Sequence, residues 1–386
     1  MKDRAGATPV GPAGLTDQGG CLWWRHGAGI VGRGRATSID VTFGPDRGRR
    51  AWASLREILE ERRLAGKTDV AMGSLTFDPA IGGSVLFVPE IASHYEDDQA
   101  VVDDATGDIT SLDRLRYARG EMDELRWLNE VAAVIKAIDE GTLSKVVLAR
   151  DEVVWSKTVF SERTIAMRLA RVFPQCYTFV CDGLVGATPE LLIRRQGRYV
   201  DSLVLAGSAR RGSDPDDDAS EAALLLESSK ERSEHSLAVG SVSDALKSVC
   251  TGVATQQEPQ ILRLANVQHL ATRVTAELDD PEVSVLELVD LLHPTAAVGG
   301  VPRDVALVRI RQAEGTLRGR YAGPVGWVDA DGDGEWGIGL RCALLSGNRA
   351  QLFAGAGIVS GSLPEAELEE TRLKFRAMES VLGLTR

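Results

Sequence analysis

Apolar residues follow helical and strand-like periods along most of this chain. Residues 121–141 carry apolar positions at helical spacing and end at a glycine, which predicts a helix. These positions are Leu125, Leu128, Ala132, Ile135 and Ile138. The apolar run VVLA at 146–149 then predicts a buried strand that Lys145 opens. A lysine at that place either extends its ammonium group to solvent or is buried for a purpose.

The same periodicity predicts the elements that follow. Helices are expected near 161–172, 216–249, 284–292, 302–313 and 364–381. Strands are expected at 176–186, 191–195, 198–207, 265–277, 321–329, 335–346 and 349–355. Groups of strands joined by turns, with helices between the groups, indicate an α+β fold with large, mainly antiparallel sheets. We interpret the weakly patterned residues 1–45 as an N-terminal segment that could join the first sheet, and 46–386 as a single domain.

Two motifs resemble ligand-binding signatures but lack the context that such signatures need. GAGIVG at 27–32 has the glycine spacing of a dinucleotide-binding turn, yet strand-like residues follow it where a helix is required. DADGDGEWGIGL at 329–340 begins like a calcium loop, but Leu340 stands where a bidentate glutamate is needed. We expect a turn between two strands at the second motif, and no function for either.

Composition narrows the class of partner. The formal net charge of −12 disfavours a nucleic acid or an anionic membrane as the main partner. No segment approaches the roughly 20 apolar residues of a membrane-spanning helix. The five cysteines form no CxxC pair, so we expect free thiols in a reducing cytoplasm. A soluble protein that acts on a small molecule fits these features.

Three ionisable residues occupy unusual places in the pattern. Arg341 lies among glycine and alanine on one face of the predicted strand 335–346, which leaves room for a carboxylate ligand or for a protein carboxylate. Glu190 follows the turn-like GATP and opens an apolar strand, as Lys145 does. A basic and an acidic group that each open a buried strand form a candidate acid–base pair.

Two predicted helices carry clusters of charge. Glu367, Glu370 and Lys374 share one face of the helix 364–381, and Glu234 clusters with Glu227, Lys230 and Glu231 on the helix 216–249. Surface ion pairs are the simpler interpretation. If the two helices meet, however, their carboxylates could bind one Mg²⁺ ion, which prefers oxygen ligands. Glycine-rich segments around Gly207, Ser208 and Gly355 would let backbone N–H groups approach a ligand.

These motifs, in this order, resemble those of the chorismate-utilising enzymes. The matching segments are KVVLAR, GATPELL, LAGSARR, KERSEH, HLAT, LLHPTAAVGG, VGWVDADGDGEWGIGLRCALL, FAGAGIV and EETRLKF, within residues 120–381. Lys145 stands where the water-using branches, the isochorismate and salicylate synthases, have lysine. Within these, AGSARR with Ser208 is most similar to the isochorismate synthases, since salicylate and anthranilate synthases more often have threonine there. Ala206 stands where aminodeoxychorismate synthases have lysine, which argues against that branch.

The resemblance implies a four-layer α/β/β/α fold and a site in a central cleft. It implies that Lys145 activates water and Glu190 protonates the leaving hydroxyl, while chorismate becomes isochorismate. We expect burial to favour the neutral forms of both groups. It also implies that Glu234 and Glu370 hold Mg²⁺, with Glu367 beside the ion. The pyruvyl carboxylate would bind Arg341 and Lys374, helped by backbone N–H groups near Gly207, Ser208 and Gly355. His269 would line the pocket of the ring.

The resemblance leaves alternatives open. A salicylate synthase would use the same acid–base pair and then eliminate pyruvate from isochorismate. An inactive homologue could serve as a scaffold, although all of the implied catalytic residues are present. An ammonia-using enzyme would need a glutaminase subunit, whereas the branch resembled here implies a monomer without one. Whether the product would feed a quinone, a catechol siderophore or salicylate stays open.

Overall fold

The computed structural model describes residues 11–16, 19–96, 115–315 and 318–384 of the chain. Residues 1–10, 17 and 18 of the expected N-terminal segment lie outside this part. The rest of that segment contributes strands to both sheets of the protein, and its first strand lies inside a sheet with a partner on each side.

In the part of the chain that the structure describes, twenty strands make up two sheets. In chain order, β1 to β10 are Cys21–Arg25, Ala28–Arg33, Thr37–Ile39, Val70–Ser74, Val85–Val88, Ile91–Tyr95, Arg116–Arg119, Lys145–Trp155, Tyr177–Cys181 and Leu184–Thr188. Strands β11 to β20 are Leu191–Gln196, Tyr199–Arg210, Cys250–Thr255, Gln260–Arg263, Val267–Leu278, Gly300–Val301, Pro324–Asp329, Gly334–Ile338, Cys342–Ser346 and Arg349–Ile358.

Eight α-helices and a short 3₁₀ turn at Gly11–Gly14 accompany the strands in the described part of the chain. Helices α1 to α8 are Arg47–Leu64, Glu124–Asp139, Glu162–Val172, Pro215–Glu227, Ser229–Leu246, Val285–Leu292, Arg303–Glu314 and Pro364–Leu382. Side-chain caps fix several starts: Ser161 caps α3, and Ser284 with Glu287 forms a capping box on α6.

Both sheets are antiparallel and ten-stranded. The first sheet has the order β16-β8-β20-β19-β10-β9-β1-β2-β6, with β7 also on β8. The second has the order β13-β15-β12-β11-β18-β17-β4-β5-β3, with β14 also on β15. Strand β9 of the first sheet contacts β4 and β17 of the second, so the sheets face each other. Large buried side chains, such as Trp23 from one sheet and Trp336 from the other, lie in their common core.

Helices cover the outer faces of both sheets. Helices α2, α3, α7 and α8 contact strands of the first sheet, and α1, α4, α5 and α6 contact strands of the second. The order of layers is therefore helix, sheet, sheet, helix. This architecture agrees with the α+β, four-layer fold expected from the sequence.

Two neighbouring connections carry the chain from one sheet to the other. Strand β10 belongs to the first sheet and β11 to the second, and only Pro189 and Glu190 separate them. Strand β18 belongs to the second sheet and β19 to the first, with residues 339–341 between them. The two connections lie side by side, because β10 pairs with β19 and β11 pairs with β18.

The second of these connections corrects the predicted strand 335–346. Arg341 has a φ of 45°, which ends the regular alternation of side chains expected from Ile338 to Leu344. The residues before and after it belong to different sheets, so they share no common face. The expectation that Arg341 would be surrounded by small residues of one strand was therefore wrong. The turn itself places Arg341 between the sheets.

Other boundaries also differ from the predictions. The expected helix 216–249 is two helices, because Ser228 is extended and caps α5 through the Glu231 N–H. The expected strand 176–186 is the hairpin β9–β10, which turns at Asp182 with a φ of 49°. In α2, Trp127, Val131, Val134 and Ile138 face the core, whereas Leu125 is 70% exposed. Trp127 lies one position before the expected apolar residue Leu128, so the buried face of the helix differs from the predicted one.

Neither of the two misleading motifs forms the site that it resembles. GAGIVG overlaps strand β2. The aspartates of DADGDG lie in the β17–β18 hairpin, where Asp329 accepts hydrogen bonds from the N–H groups of Asp331 and Asp333. Asp333 instead binds Arg195 of β11, at 2.6 Å.

The described residues include no helix that is both long and apolar enough to cross a membrane. All five cysteines are buried and unpaired. Burial raises the pKa of Cys181 to about 12, so this thiol stays protonated at neutral pH.

Candidate active site

A cavity opens where the two connections meet the ends of neighbouring strands. Strands β8, β12 and β20, helices α5 and α8, and both connections contribute to its wall. Its polar lining residues are Glu190, Ser208, Glu234, His269, Arg318, Tyr321, Arg341 and Lys374. Six of these eight residues are among those selected from the sequence. The cavity thus brings together residues separated by more than 180 positions.

Glu190 lies in the first connection and is 3% exposed. Burial raises its pKa, while the positive charges of Lys145, Arg341 and Lys374 lower it, and the result is a pKa of about 8. Desolvation therefore outweighs three cations. Glu190 is mostly protonated at neutral pH, so its carboxyl group can donate a proton inside the cavity.

Lys145 opens β8, as predicted, and its side chain is completely buried. Its Nζ lies 3.0 Å from Glu234 Oε1 in an ion pair. Gly357 of the neighbouring strand β20 makes this pair possible. A Cβ atom at Gly357 would lie 2.0 Å from Glu234 Oε1 and 3.2 Å from Lys145 Cε. The buried pair therefore needs a glycine at this place in the strand.

Arg341 is buried and points one side of its guanidinium group at His269. Its Nη2 lies 2.5 Å from His269 Nε2, and Nδ1 of the same imidazole lies 3.1 Å from the carbonyl oxygen of Gly207. Because a guanidinium group can only donate, Nε2 accepts and Nδ1 carries the proton. Burial, followed by the charges of Arg341 and Lys374, lowers the pKa of His269 well below its usual value. Nη1 of Arg341 is buried without a hydrogen-bond partner and is available to an anion.

Lys374 and Ser208 connect helix α8 to both sheets. Lys374 donates to the carbonyl of Gly355 in β20 at 2.9 Å and lies 2.6 Å from Glu370 Oε1. The Ser208 hydroxyl donates to the same Glu370 oxygen at 2.9 Å. Burial favours the neutral form of Glu370, but Lys374 and Ser208 outweigh it and lower its pKa. Glu370 is therefore ionised at neutral pH.

Four carboxylates from α5 and α8 lie near one another. The members are Glu231, Glu234, Glu367 and Glu370. Burial and the neighbouring charges of Glu234 and Glu370 raise the pKa of Glu231. Burial and Glu370 raise the pKa of Glu367 to about 7. Lys230 bridges the two helices, with its Nζ 2.7 Å from Glu367 Oε1 and 3.4 Å from Glu231 Oε1.

The carboxylate cluster supplies the oxygen ligands that a magnesium ion prefers. Among the described residues, no three acidic, histidine or cysteine side chains converge into a ready-made metal cage. Mg²⁺ does not require one, since proteins commonly bind it through one or two carboxylates, waters and oxygens of the substrate. Burial, and then repulsion between neighbouring carboxylates, raises the pKa values of Glu231 and Glu367, and a divalent cation would favour the ionised forms.

Sequence and structure comparisons place the chain among known proteins. The family described as chorismate binding enzyme matches residues 88–383. The chain belongs to the chorismate-binding enzyme family. It is 37% identical to a putative isochorismate synthase MenF of Mycobacterium tuberculosis over 83% of this chain and 88% of the relative. It is 40% identical to isochorismate synthase DhbC of Bacillus subtilis over 66% of this chain and 67% of the relative.

Solved structures of the family share the fold. A putative 2,3-dihydroxybenzoate-specific isochorismate synthase from Bacillus anthracis superposes with a TM-score of 0.87 at 32% identity, over 96% of this chain and 98% of that one. The menaquinone-specific isochorismate synthase MenF of Escherichia coli gives 0.80 at 25% identity, over 99% and 92%. The family and the fold inferred from the motifs are therefore confirmed.

The sequence patterns do not identify several residues of this family member as parts of the site. Glu231, which accepts the Ser208 N–H at 3.0 Å, and Lys230 were noted as members of a charged helix face only. Arg318 and Glu314 were not noted, although both are buried. Glu314 ends α7 and Arg318 follows it, where a solvated helix end is the ordinary expectation. Nothing in their spacing distinguishes them from surface charges.

Proposed function

We propose that this protein is an isochorismate synthase, an isomerase that adds water at ring carbon 2 of chorismate while the hydroxyl at carbon 4 leaves. The observation that carries the proposal is the pKa of about 8 at Glu190, which keeps a proton donor inside a cavity lined with cations. The names of relatives that are 34–40% identical to the chain support the same reaction.

Glu190 would act as the general acid. Departure of the carbon 4 hydroxyl as hydroxide is difficult, and a carboxyl group that is protonated at neutral pH can convert it to water. The cations near Glu190 keep its pKa close to the working pH, so the proton is held but can be given up. A carboxyl group buried without those cations would hold its proton more tightly.

Lys145 would act as the general base that takes a proton from the attacking water. Its complete burial keeps bulk water from competing at Nζ. Glu234 orients the amine of Lys145 from 3.0 Å. A lysine must be neutral when it accepts a proton. When bound, Mg²⁺ would hold the ring carboxylate of chorismate and share the negative charge of Glu234 that Lys145 otherwise balances.

Arg341 and Lys374 would bind the pyruvyl carboxylate. Arg341 keeps one buried nitrogen without a partner, and His269 holds the guanidinium group from its other side. Lys374 lies on a different helix, so the two cations approach the carboxylate from separate elements. Glu234 and Glu370 would hold the metal ion, with Glu367 beside it. Fixed charges in a buried site stabilise an anionic ligand better than mobile ones, because no reorganisation is needed.

We further propose that the protein works as a cytoplasmic monomer without a glutaminase subunit, since water is the nucleophile. Relatives are named for menaquinone-specific and vibriobactin-specific isochorismate synthesis, and this chain could supply either kind of pathway.

The decisive experiment incubates the purified protein with chorismate and Mg²⁺ and follows the products by NMR, with a coupled assay for pyruvate. A mixture of chorismate and isochorismate without pyruvate is the expected result. Pyruvate formed in step with salicylate would instead identify a salicylate synthase. No turnover would contradict both activities and favour the scaffold alternative. Omission of Mg²⁺ in the presence of EDTA should stop the reaction.

A further inference from the structure

Strand β8, which begins with Lys145, has an interrupted partner along one edge. Strand β20 pairs with residues 146–155 of β8 on one side. On the other side, β16 pairs with its first two residues and β7 pairs with residues 152–155. Between these two short partners, the backbone of β8 faces no strand of the described residues. Buried backbone groups need hydrogen-bond partners, so something else must supply them.

Two buried side chains fill this gap. Glu314 ends α7 and Arg318 follows it, and both are almost fully buried. The guanidinium group binds the carboxylate through two contacts of 2.8 Å, in the planar fork geometry that favours arginine. The ring of Phe77 packs on the guanidinium carbon of Arg318 at 4.0 Å. The pair is therefore fixed on several sides.

The ion pair makes the hydrogen bonds to β8 that a neighbouring strand would otherwise make. Glu314 Oε1 accepts the N–H of Ala149 at 2.8 Å, and Nη2 of Arg318 donates to the carbonyl of Val147 at 2.7 Å. Nη1 of Arg318 donates to the carbonyl of Val298 at 2.8 Å. The Val147 N–H in turn bonds to the Gly299 carbonyl at 2.7 Å. Strand β8 and the segment before β16 are thus joined through one arginine.

We infer that Glu314 and Arg318 are positioning residues that fix Lys145 for catalysis, an inference that rests on the proposed function. They hold β8 two and four residues from Lys145, through Val147 and Ala149. Arg318 also lines the cavity, whereas Glu314 lies behind Arg318 and would act through it. The carboxylate clamp at Arg341 and Lys374 lies on other elements, so loosening β8 should affect the base and spare the clamp.

The test compares Glu314→Gln with a matched control. Asp333→Asn also removes the carboxylate partner of a buried arginine, Arg195, but Asp333 lies in the β17–β18 hairpin, of which no described residue lines the cavity. The variants are assayed for isochorismate formation at a temperature well below their melting temperatures. Hydrogen exchange of peptides that cover residues 145–151 is measured alongside. Arg318→Lys serves as a second variant that retains the charge but cannot form the fork.

We expect Glu314→Gln to lower kcat at least tenfold with KM for chorismate within about twofold, and to speed exchange at Ala149. Arg318→Lys should show the same split, whereas Asp333→Asn should lower the melting temperature and leave kcat unchanged. Equal loss of kcat in Asp333→Asn, or unchanged kcat in a folded Glu314→Gln or Arg318→Lys, overturns the inference. If Glu314→Gln fails to fold, Arg318→Lys decides alone. An inactive wild-type protein would instead refute the proposed function, while the exchange measurement still tests the contact with β8.

Discussion

At the scale of single residues, the site depends on how burial treats acids and bases. Glu190 is held in its neutral form because desolvation outweighs three neighbouring cations. Glu370, buried in the same protein, is held in its ionised form because an ammonium group and a hydroxyl contact one of its oxygens. Direct contacts therefore decide which of two buried carboxyl groups stays protonated and which one is ionised.

The pKa of Glu190 predicts the pH dependence of the reaction. The acid must be protonated, and its raised pKa keeps it so below pH 8. We expect kcat/KM to fall about tenfold per pH unit above pH 8, because the acid ionises there. A profile measured between pH 6 and 10, with circular dichroism to show that the fold persists, checks this. Constant kcat/KM up to pH 9.5 would exclude Glu190 as the acid.

Removal of the base gives a second prediction. Lys145→Ala should lower kcat at least a hundredfold, because general base catalysis contributes about 10²–10⁴. Lys136→Ala on α2, which removes an exposed lysine, is the matched control and should leave kcat unchanged. Retention of near wild-type turnover by Lys145→Ala would leave the buried lysine with a structural role alone.

At the scale of elements, the connections between the sheets explain which parts of the site the sequence could predict. The buried starts of β8 and β11 follow from apolar runs, and so do Lys145 and Glu190. The position of Arg341 does not, because a residue with positive φ in a turn breaks the alternation from which faces are inferred. Motif order selected a residue that lines the cavity, although the strand pattern gave it the wrong surroundings.

Side chains that satisfy backbone groups are harder still to predict. Ala149 carries a buried N–H group whose partner is a glutamate 165 positions away. No local pattern marks such a pair, since Ala149 belongs to an apolar run and Glu314 to an ordinary polar segment. The division of the helix 216–249 at Ser228 could not be predicted either. A pattern of apolar positions does not distinguish a serine at a helix start from a serine within a helix.

The turn that carries Arg341 gives a third prediction. Arg341→Met should raise KM for chorismate tens-fold or more with a smaller effect on kcat, because charge-assisted bonds to the carboxylate are lost. The control is Arg349→Met in β20 of the first sheet. Arg349 donates to Gln351, and its loss should leave KM unchanged. Initial-rate measurements over a range of chorismate concentrations separate the two constants. An unaltered KM in Arg341→Met would assign the pyruvyl carboxylate to another group.

At the scale of the whole molecule, the carboxylates join the two outer helical layers. Helix α5 covers the second sheet and α8 covers the first, and Lys230 together with Ser208 connects them. A cation bound between Glu234 and Glu370 would add a further link across the protein. Ligands that bind only the native state raise its stability.

This arrangement predicts stabilisation by metal. Millimolar Mg²⁺ should raise the melting temperature of the wild-type protein by a few degrees, and EDTA should reverse the effect. Glu234→Gln and Glu370→Gln should each abolish the shift and the dependence of activity on Mg²⁺. Glu369→Gln, on the exposed side of α8, is the control. An equal shift in all four proteins would show that the ion binds elsewhere.

The paired connections between the sheets have a consequence for incompletely folded chains. Glu190 and Arg341 are held in place only after β10 and β19 have joined one sheet and β11 and β18 the other. An intermediate with a single assembled sheet would possess neither the proton donor nor the carboxylate clamp. Nascent or damaged molecules would therefore leave chorismate intact, and turnover would report the folded fraction of a population without a separate probe.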